Sequence, residues 1–271
     1  MSSYEHYLIK DKLPLFWCRG CGNGIVLQAI LRAFAERQLD KKKIVVVTGI
    51  GCWGKADDYI DTHTFHGTHG RALAYATGIK LANPELTVVA LVGDGDGATI
   101  GGNHLIHAAR RNVDITTIMV NNFTYGMTGG QYSGTTPDHF LSTTSAYGHV
   151  EKPFDVSQLV VAAGAPYVSR TTTYHARQLE KYIGEALDRQ NFSFVEAISQ
   201  CPVHFGRSNQ MAQPVETLAW IKENTISVQQ SMKLTDEEKV NKFVIGNLVD
   251  REQEDYSRRY QKVQELAKRG V

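Results

Sequence analysis

Cys18, Cys21, Cys52 and Cys201 are the only cysteines in a chain of 271 residues. Cys18-Arg19-Gly20-Cys21 has the CxxC spacing of a metal site or a redox dithiol. A chain of this length has no need of disulfide staples. By ligand type, four thiolates suit zinc and an iron–sulfur cluster equally well. Position favours the cluster, because Cys52 falls in a glycine-rich turn directly after an apolar run, where a cofactor would also lie. Gly20, Gly22, Gly49, Gly51 and Gly54 surround the cysteines and leave backbone amides free to hydrogen-bond inorganic sulfide.

A second group consists of hard oxygen donors. Gly93-Asp94-Gly95-Asp96 follows one apolar run, and Asn121-Asn122 follows the next, 28 residues beyond Gly93. Glycines after a buried strand let backbone N–H groups approach a diphosphate, and the helix that follows offers its positive end. A carboxylate at one strand end and an amide oxygen at its neighbour suit Mg2+ that bridges to phosphate oxygens. A lone glycine–aspartate turn is common; the paired spacing is what points to a site. This GDG…NN spacing resembles the diphosphate-binding motif of thiamine-diphosphate enzymes. By that resemblance Asp94, the Asn122 side chain and the Thr124 carbonyl hold the metal.

The elements that must position these groups are legible as alternation. Residues 44–48 (IVVVT), 86–92 (LTVVALV), 115–120 (ITTIMV) and 192–198 (FSFVEAI) are near-continuous apolar runs, as expected of parallel strands covered on both faces. Helical patterns cover residues 24–37, 69–81, 102–111, 156–163 and 174–189. Asn83-Pro84 and Ala165-Pro166 terminate helices before the next strand. The expectation is a doubly wound, mainly parallel α/β fold, in which ligands bind beyond the carboxyl ends of the strands. Every cluster named above follows a strand, apart from the CxxC pair, which precedes the first helix. Beyond residue 212 the composition turns polar. Residues 214–223 and the stretch from Thr235 onward, with an N-cap and first-turn acids at Thr235-Asp236-Glu237-Glu238, read as helices. The expected division is therefore an α/β domain over residues 1–212 and a helical C-terminal extension over 213–271.

Composition narrows the class. A net charge of +1 gives no electrostatic case for nucleic acid or an anionic membrane. The opening 15 residues lack an apolar run of signal-peptide length, and no segment approaches the roughly 18 apolar residues of a membrane helix. The expectation is a cytoplasmic protein.

Longer runs extend the likeness. Residues 18–24 (CRGCGNG), 49–54 (GIGCWG), 66–71 (HGTHGR), 93–96 (GDGD), 121–131 (NNFTYGMTGGQ), Cys201-Pro202 and Phe205-Gly206-Arg207 resemble the small, or beta, subunit of 2-oxoacid:ferredoxin oxidoreductases. The resemblance spans about residues 14–212 in order, and residues 54–59 (GKADDY) make it most similar to 2-oxoglutarate types. It implies a [4Fe-4S] cluster on Cys18, Cys21, Cys52 and Cys201. It also implies thiamine diphosphate against Ile50, Gly51, Cys52, His66, His69, Gly95, Asp96, Gly126, Met127 and Thr128. The reaction implied is oxidative decarboxylation of a 2-oxoacid, with coenzyme A taking the acyl group and ferredoxin the electrons. Arg19 departs from the family's usual proline, which bears on cluster potential rather than ligation.

Several side chains carry two readings. His66 and His69 are capping or core histidines, or donors to the diphosphate or substrate carboxylate. Lys55 is a surface lysine, or the cation that pairs with the distal carboxylate of a dicarboxylic 2-oxoacid. Tyr125 and Met127 contact the cofactor ring or close their loop. Trp17 shields the cluster or packs the core, and Arg110-Arg111 complements a helix dipole. One α/β domain is visible, whereas thiamine enzymes need a second that carries a glutamate for the aminopyrimidine. A larger alpha subunit is therefore expected to supply the pyrimidine side, in an (αβ)2-type hetero-oligomer. The rival readings are another 2-oxoacid such as pyruvate, a non-redox thiamine-diphosphate decarboxylase subunit, and a zinc-stabilised binding module.

Overall fold

The computed structural model describes residues 3–270. Strands β1 (Ile44–Thr48), β2 (His63–His66), β3 (Thr87–Gly93) and β4 (Thr116–Asn121) form in the first half, followed by a short hairpin of β5 (Thr124–Tyr125) and β6 (Gln131–Tyr132). The second half adds β7 (Tyr167–Thr172), β8 (Ser193–Ile198), β9 (Thr225–Ser227) and β10 (Phe243–Asp250). Eight of these make one sheet in the order β2-β1-β3-β4-β8-β7-β10-β9. All neighbours run parallel except β10 against β7. Strands β4, β7 and β8 are buried along their whole length, although β7 (YVSRTT) is largely polar.

Helices cover both faces. On one lie α1 (Asn23–Glu36) and, later in the chain, α5 (Ala176–Leu187), packed on Val46, Leu91, Ile118 and Val195. On the other lie α2 (Ala72–Ala82), α3 (Gly102–Arg111) and α4 (Val156–Ala162), packed on Val47, Val92, Met119 and Phe194. This is the expected doubly wound arrangement. Its consequence for function is geometric: the carboxyl ends of β1, β3, β4 and β8 line one edge of the sheet. Strand β2 escaped sequence reading because all four of its residues are exposed, so burial imposes no apolar pattern on them. Its register beside β1 is what sets His66 next to Thr48.

The tail departs from an all-helical extension. Helix α6 (Pro214–Glu223) starts on a proline, and its capping box links Gln213 and Glu216. A short α7 (Val228–Ser231) and a final α8 (Tyr256–Lys268) also form. Residues 235–238 close a capping turn, with Thr235 Oγ1 accepting from Glu238 N at 3.3 Å, yet no helix follows it. The chain instead enters β10, which zips antiparallel onto β7. Residues 243–250 (FVIGNLVD) are half-buried and β-branched, and β7 would otherwise present a row of unpaired backbone groups.

A buried ion network ties these parts together. Arg170 on β7 and Glu196 on β8 are register partners, 4% and 2% exposed. Arg170 Nε donates to Glu196 Oε2 at 2.8 Å, and its other nitrogens reach Asp155 at the start of α4 and Val244 O on β10. Glu196 also accepts from Ser157 Oγ and, at 2.8 Å, from Asn121 Nδ2. Removing one partner of such a pair leaves a buried charge uncompensated. Arg170→Met should therefore lower stability by about 3–5 kcal/mol, seen as a lower chemical-denaturation midpoint. Joint replacement of Arg170 and Glu196 by apolar residues should cost less than Arg170→Met alone.

Candidate active site and metal centre

Asp96 organises the crevice. It sits in a π-helical turn (Gly95–Ile100) just past β3 and is nearly inaccessible to water. Its Oδ1 accepts from Ile50 N at 3.1 Å, Gly70 N at 2.7 Å and His69 Nδ1 at 2.7 Å. The carboxylate thus holds the loops after β1 and β2 against the end of β3. Gly49 permits the approach, since a Cβ there would lie 2.1 Å from Asp96 Oδ2. The carboxylate points to these loops.

Asp94, two residues earlier, is buried, and burial pushes its carboxyl above the usual range. Its Oδ2 accepts from Ser133 Oγ at 2.5 Å and Thr135 Oγ1 at 2.8 Å, and the backbone N–H of Asn122 also favours its charged form. Thr135 Oγ1 also lies 2.9 Å from Asn121 Oδ1, which links Asp94 to the Glu196 network. Of the paired asparagines, Asn121 faces this network, while Asn122 sits at the strand end beside Asp94. Asn122 Oδ1 accepts from Thr124 N at 3.3 Å, and the Thr124 carbonyl accepts from Gly126 N at 3.0 Å. Ser133 and Thr135 were not singled out from the sequence, and isolated hydroxyls 39 and 41 residues from Asp94 carry no local signal.

The β5–β6 hairpin overhangs this pair. Tyr125 Oη donates to Gly95 O at 3.2 Å, and its ring meets His69 edge-on at 6.0 Å between centroids. Tyr125 therefore closes its loop. Thr128 Oγ1 donates to Gln131 Oε1 at 2.6 Å, while Met127 is exposed at the tip.

The cysteines gather at the same edge. A Cβ on Gly126 would lie 3.5 Å from Cys52 Sγ and 3.9 Å from Cys201 Sγ. Burial pushes the Cys21 thiol up to about 12, with Cys201, Cys52 and Cys18 adding to the rise. Cys52 is raised to about 11 for the same first reason, and Cys201 is raised as well. Among the described residues no three His, Cys, Asp or Glu side chains stand close enough to grip a single ion. Trp17 Nε1 donates to Cys52 O at 2.5 Å and packs on Trp53 and Tyr59, so it both fills the core and covers this loop. The Asn23 amide and Ser199 Oγ are buried without hydrogen-bond partners among the described residues. Asn23 follows Cys21 by two residues, and Ser199 precedes Cys201 by two.

His66 and Lys55 complete the rim. His66 Nδ1 lies 2.9 Å from Asp57 Oδ2 and 3.0 Å from Thr48 Oγ1, which fixes the ring and leaves Nε2 unengaged. Asp57 was not foreseen, because its pairing depends on β2 lying beside β1. Lys55 Nζ meets Asp58 Oδ2 at 2.6 Å, and that contact raises its pKa.

Residues 42–197 match the family of thiamine pyrophosphate enzymes through its C-terminal TPP binding domain. A 2-oxoglutarate synthase subunit KorB from Methanothermobacter marburgensis is 50% identical over 247 residues, which is 91% of this chain and 87% of that protein. The protein of the same name from Methanocaldococcus jannaschii is 42% identical over 262 residues, 97% of both chains. A solved 2-oxoglutarate:ferredoxin oxidoreductase from Magnetococcus marinus, with 2-oxoglutarate, coenzyme A and succinyl-CoA bound, superposes with a TM-score of 0.87. It is 30% identical, and the match covers 98% of this chain and 90% of that one. With its glycine–aspartate and paired-asparagine turns at adjacent strand ends, the chain belongs to the thiamine pyrophosphate enzymes and, among them, to the beta subunits of the 2-oxoacid:ferredoxin oxidoreductases.

Proposed function

We propose that this subunit carries the diphosphate half of a thiamine-diphosphate site and a [4Fe-4S] cluster that takes its electrons, in an enzyme that converts 2-oxoglutarate to succinyl-CoA. The balanced reaction is 2-oxoacid plus coenzyme A plus two oxidised ferredoxins, giving acyl-CoA, CO2, a proton and two reduced ferredoxins. The observation that carries this reading is Gly126. It belongs to the hairpin after Asn122 that overhangs Asp94, and a Cβ built on it would lie 3.5 Å from Cys52 Sγ and 3.9 Å from Cys201 Sγ. Oxygen donors for a diphosphate-bound cation and thiolates for a redox centre therefore share one loop.

The residues fit both groups. Asp94, whose charge burial disfavours, would hold Mg2+ together with the Asn122 side chain and the Thr124 carbonyl, and the ion would offset that cost. Among the described residues no three Cys, His, Asp or Glu side chains are grouped to hold one ion, as a tetrahedral zinc would need. The unpartnered Asn23 amide and Ser199 hydroxyl supply polar groups beside the cysteines, as cluster sulfides can accept. Raised thiol pKa values mean that Cys21 and Cys52 keep their protons in the unloaded protein, so metal uptake releases protons and is favoured as pH rises. Bound thiamine diphosphate would supply the electron sink for decarboxylation. The chain's own work is to hold its diphosphate, orient it through the Asp96 clamp and shield it beneath the hairpin. The pyrimidine side falls to the alpha subunit.

Lys55 is the basic side chain of the cysteine loop. Its partner Asp58 is half-exposed, so a substrate carboxylate can replace it. This supports a dicarboxylic 2-oxoacid.

Three outcomes are expected. Anaerobically purified protein should hold about four irons per chain and absorb near the visible–ultraviolet edge; stoichiometric zinc would overturn the cluster. Asp94→Ala should weaken retention of Mg2+ and thiamine diphosphate by at least about tenfold, measured by calorimetry, with iron content unchanged. Lys55→Met should raise the KM for 2-oxoglutarate by about 10- to 150-fold and leave monocarboxylic 2-oxoacids nearly unaffected. Equal losses on both substrate types would make Lys55 structural.

A further inference from the structure

His66 and Asp57 are arranged as an acid–base dyad. Asp57 is 7% exposed, and its Oδ2 lies 2.9 Å from His66 Nδ1 and accepts from Thr48 Oγ1 at 3.2 Å. Its Oδ1 is buried with no hydrogen-bond partner among the described residues. A carboxylate oxygen only accepts, so the hydrogen of the neutral ring sits on Nδ1. Nε2 then keeps its lone pair and is a proton acceptor, which donates only once the ring is cationic. The neutral ring therefore cannot be the donor expected from the sequence.

Two glycines place the ring at the crevice. A Cβ on Gly54 would lie 3.9 Å from His66 Cε1, the carbon between the ring nitrogens, and 2.4 Å from Gly49 O. Gly49 in turn abuts the Asp96 carboxylate, so the ring reaches the clamp through the turn that carries Lys55. Gly67 N donates to Thr48 O at 2.8 Å, which fixes the end of β2. The charged groups of that turn besides Asp57 are Lys55 and Asp58, which pair with each other, and Asp57 acts on Lys55 through its charge. Thr48 on β1 is neutral, and His63, three residues back on β2, lies on the opposite face. Residues 41–43 also pack on β2; Lys41 is taken by Asp61, and Lys42 and Lys43 are exposed.

We propose that His66 Nε2 takes the thiol proton of coenzyme A during acyl transfer, with Asp57 as the positioning residue that keeps the ring's own hydrogen on Nδ1. The proposal rests on the functional reading above. The reaction written there releases one proton, and the thiol is its source. In this step the S–H bond breaks and the proton passes to Nε2. The sulfur's electron pair forms the bond to the acyl carbon as that carbon leaves the cofactor. The two electrons of the oxidation go to ferredoxin, and the ring returns its proton to water. Asp57 favours the cationic ring, because its buried charge is bonded to no other N–H donor among the described residues. His69 is the weaker candidate: its partner, Asp96 Oδ1, also accepts from two backbone N–H groups and gains less from a cation.

In the complete alpha–beta complex, His66→Gln should slow acyl-CoA formation about 100-fold more than it slows decarboxylation measured without coenzyme A. Asp57→Asn should bias its loss toward the same step. Both losses should shrink as pH rises toward the value at which a thiol ionises unaided, about 8.5 for cysteine. Separately, 15N NMR of the histidine-labelled full chain should find the hydrogen of neutral His66 on Nδ1, and on Nε2 in Asp57→Asn. Losses that fall equally on the two half-reactions, losses that do not change with pH, or a parent ring with its hydrogen on Nε2 overturn the proposal. A parent complex that forms no acyl-CoA from any 2-oxoacid removes the functional reading, and the proton transfer with it.

Discussion

One carboxylate oxygen, Asp96 Oδ1, holds the crevice in shape by accepting from Ile50 N, Gly70 N and His69 Nδ1. These donors come from loops after two other strands, and nothing else described ties the three strand ends so directly. Charge-assisted bonds of this kind are roughly twice as strong as neutral ones. Burial removes competing water, so the loops have little alternative but to keep this arrangement. The position of Cys52, two residues past Ile50, and that of His66, three before His69, follow from the clamp.

Asp94 sits two residues away and has the opposite situation. Its hydroxyl partners, Ser133 and Thr135, are neutral, and burial disfavours its charge. One carboxylate is held by N–H donors of two other loops, and the other by two hydroxyls. A single turn after β3 thereby carries two carboxylates in different surroundings. Thr135 connects the second to Asn121, Glu196 and Arg170, so the sheet's only buried arginine–glutamate pair among the described residues underlies Asp94 as well as the attachment of β10.

The cysteines show how topology brings distant residues to one edge of the sheet. Cys18 and Cys21 precede α1, Cys52 follows β1 and Cys201 follows β8. Strands β1 and β8 are separated in the sheet by β3 and β4, and the hairpin after β4 spans the gap by placing Gly126 against both sulfurs.

How much of this could be read beforehand follows the same physics. The four central strands and the helices between them were legible because burial on both faces forces apolar runs, and the strand-end motifs were legible because chemistry restricts residue type. Residues 44–48 formed the expected strand to the residue. Strands β2, β7 and β10 were not legible: an exposed edge strand, a buried one whose residues are largely polar (YVSRTT) and a half-buried antiparallel one carry weak apolar patterns. The same limit applied within the site. Sequence singled out Asp94, Asp96, Asn122, His66 and the cysteines, but it gave no means of telling which aspartate would be consumed as a clamp, or that Asp57, Ser133 and Thr135 would orient the others. Residue type sets what chemistry is available, and a hydrogen bond across 39 residues exists only once the sheet has brought its ends together.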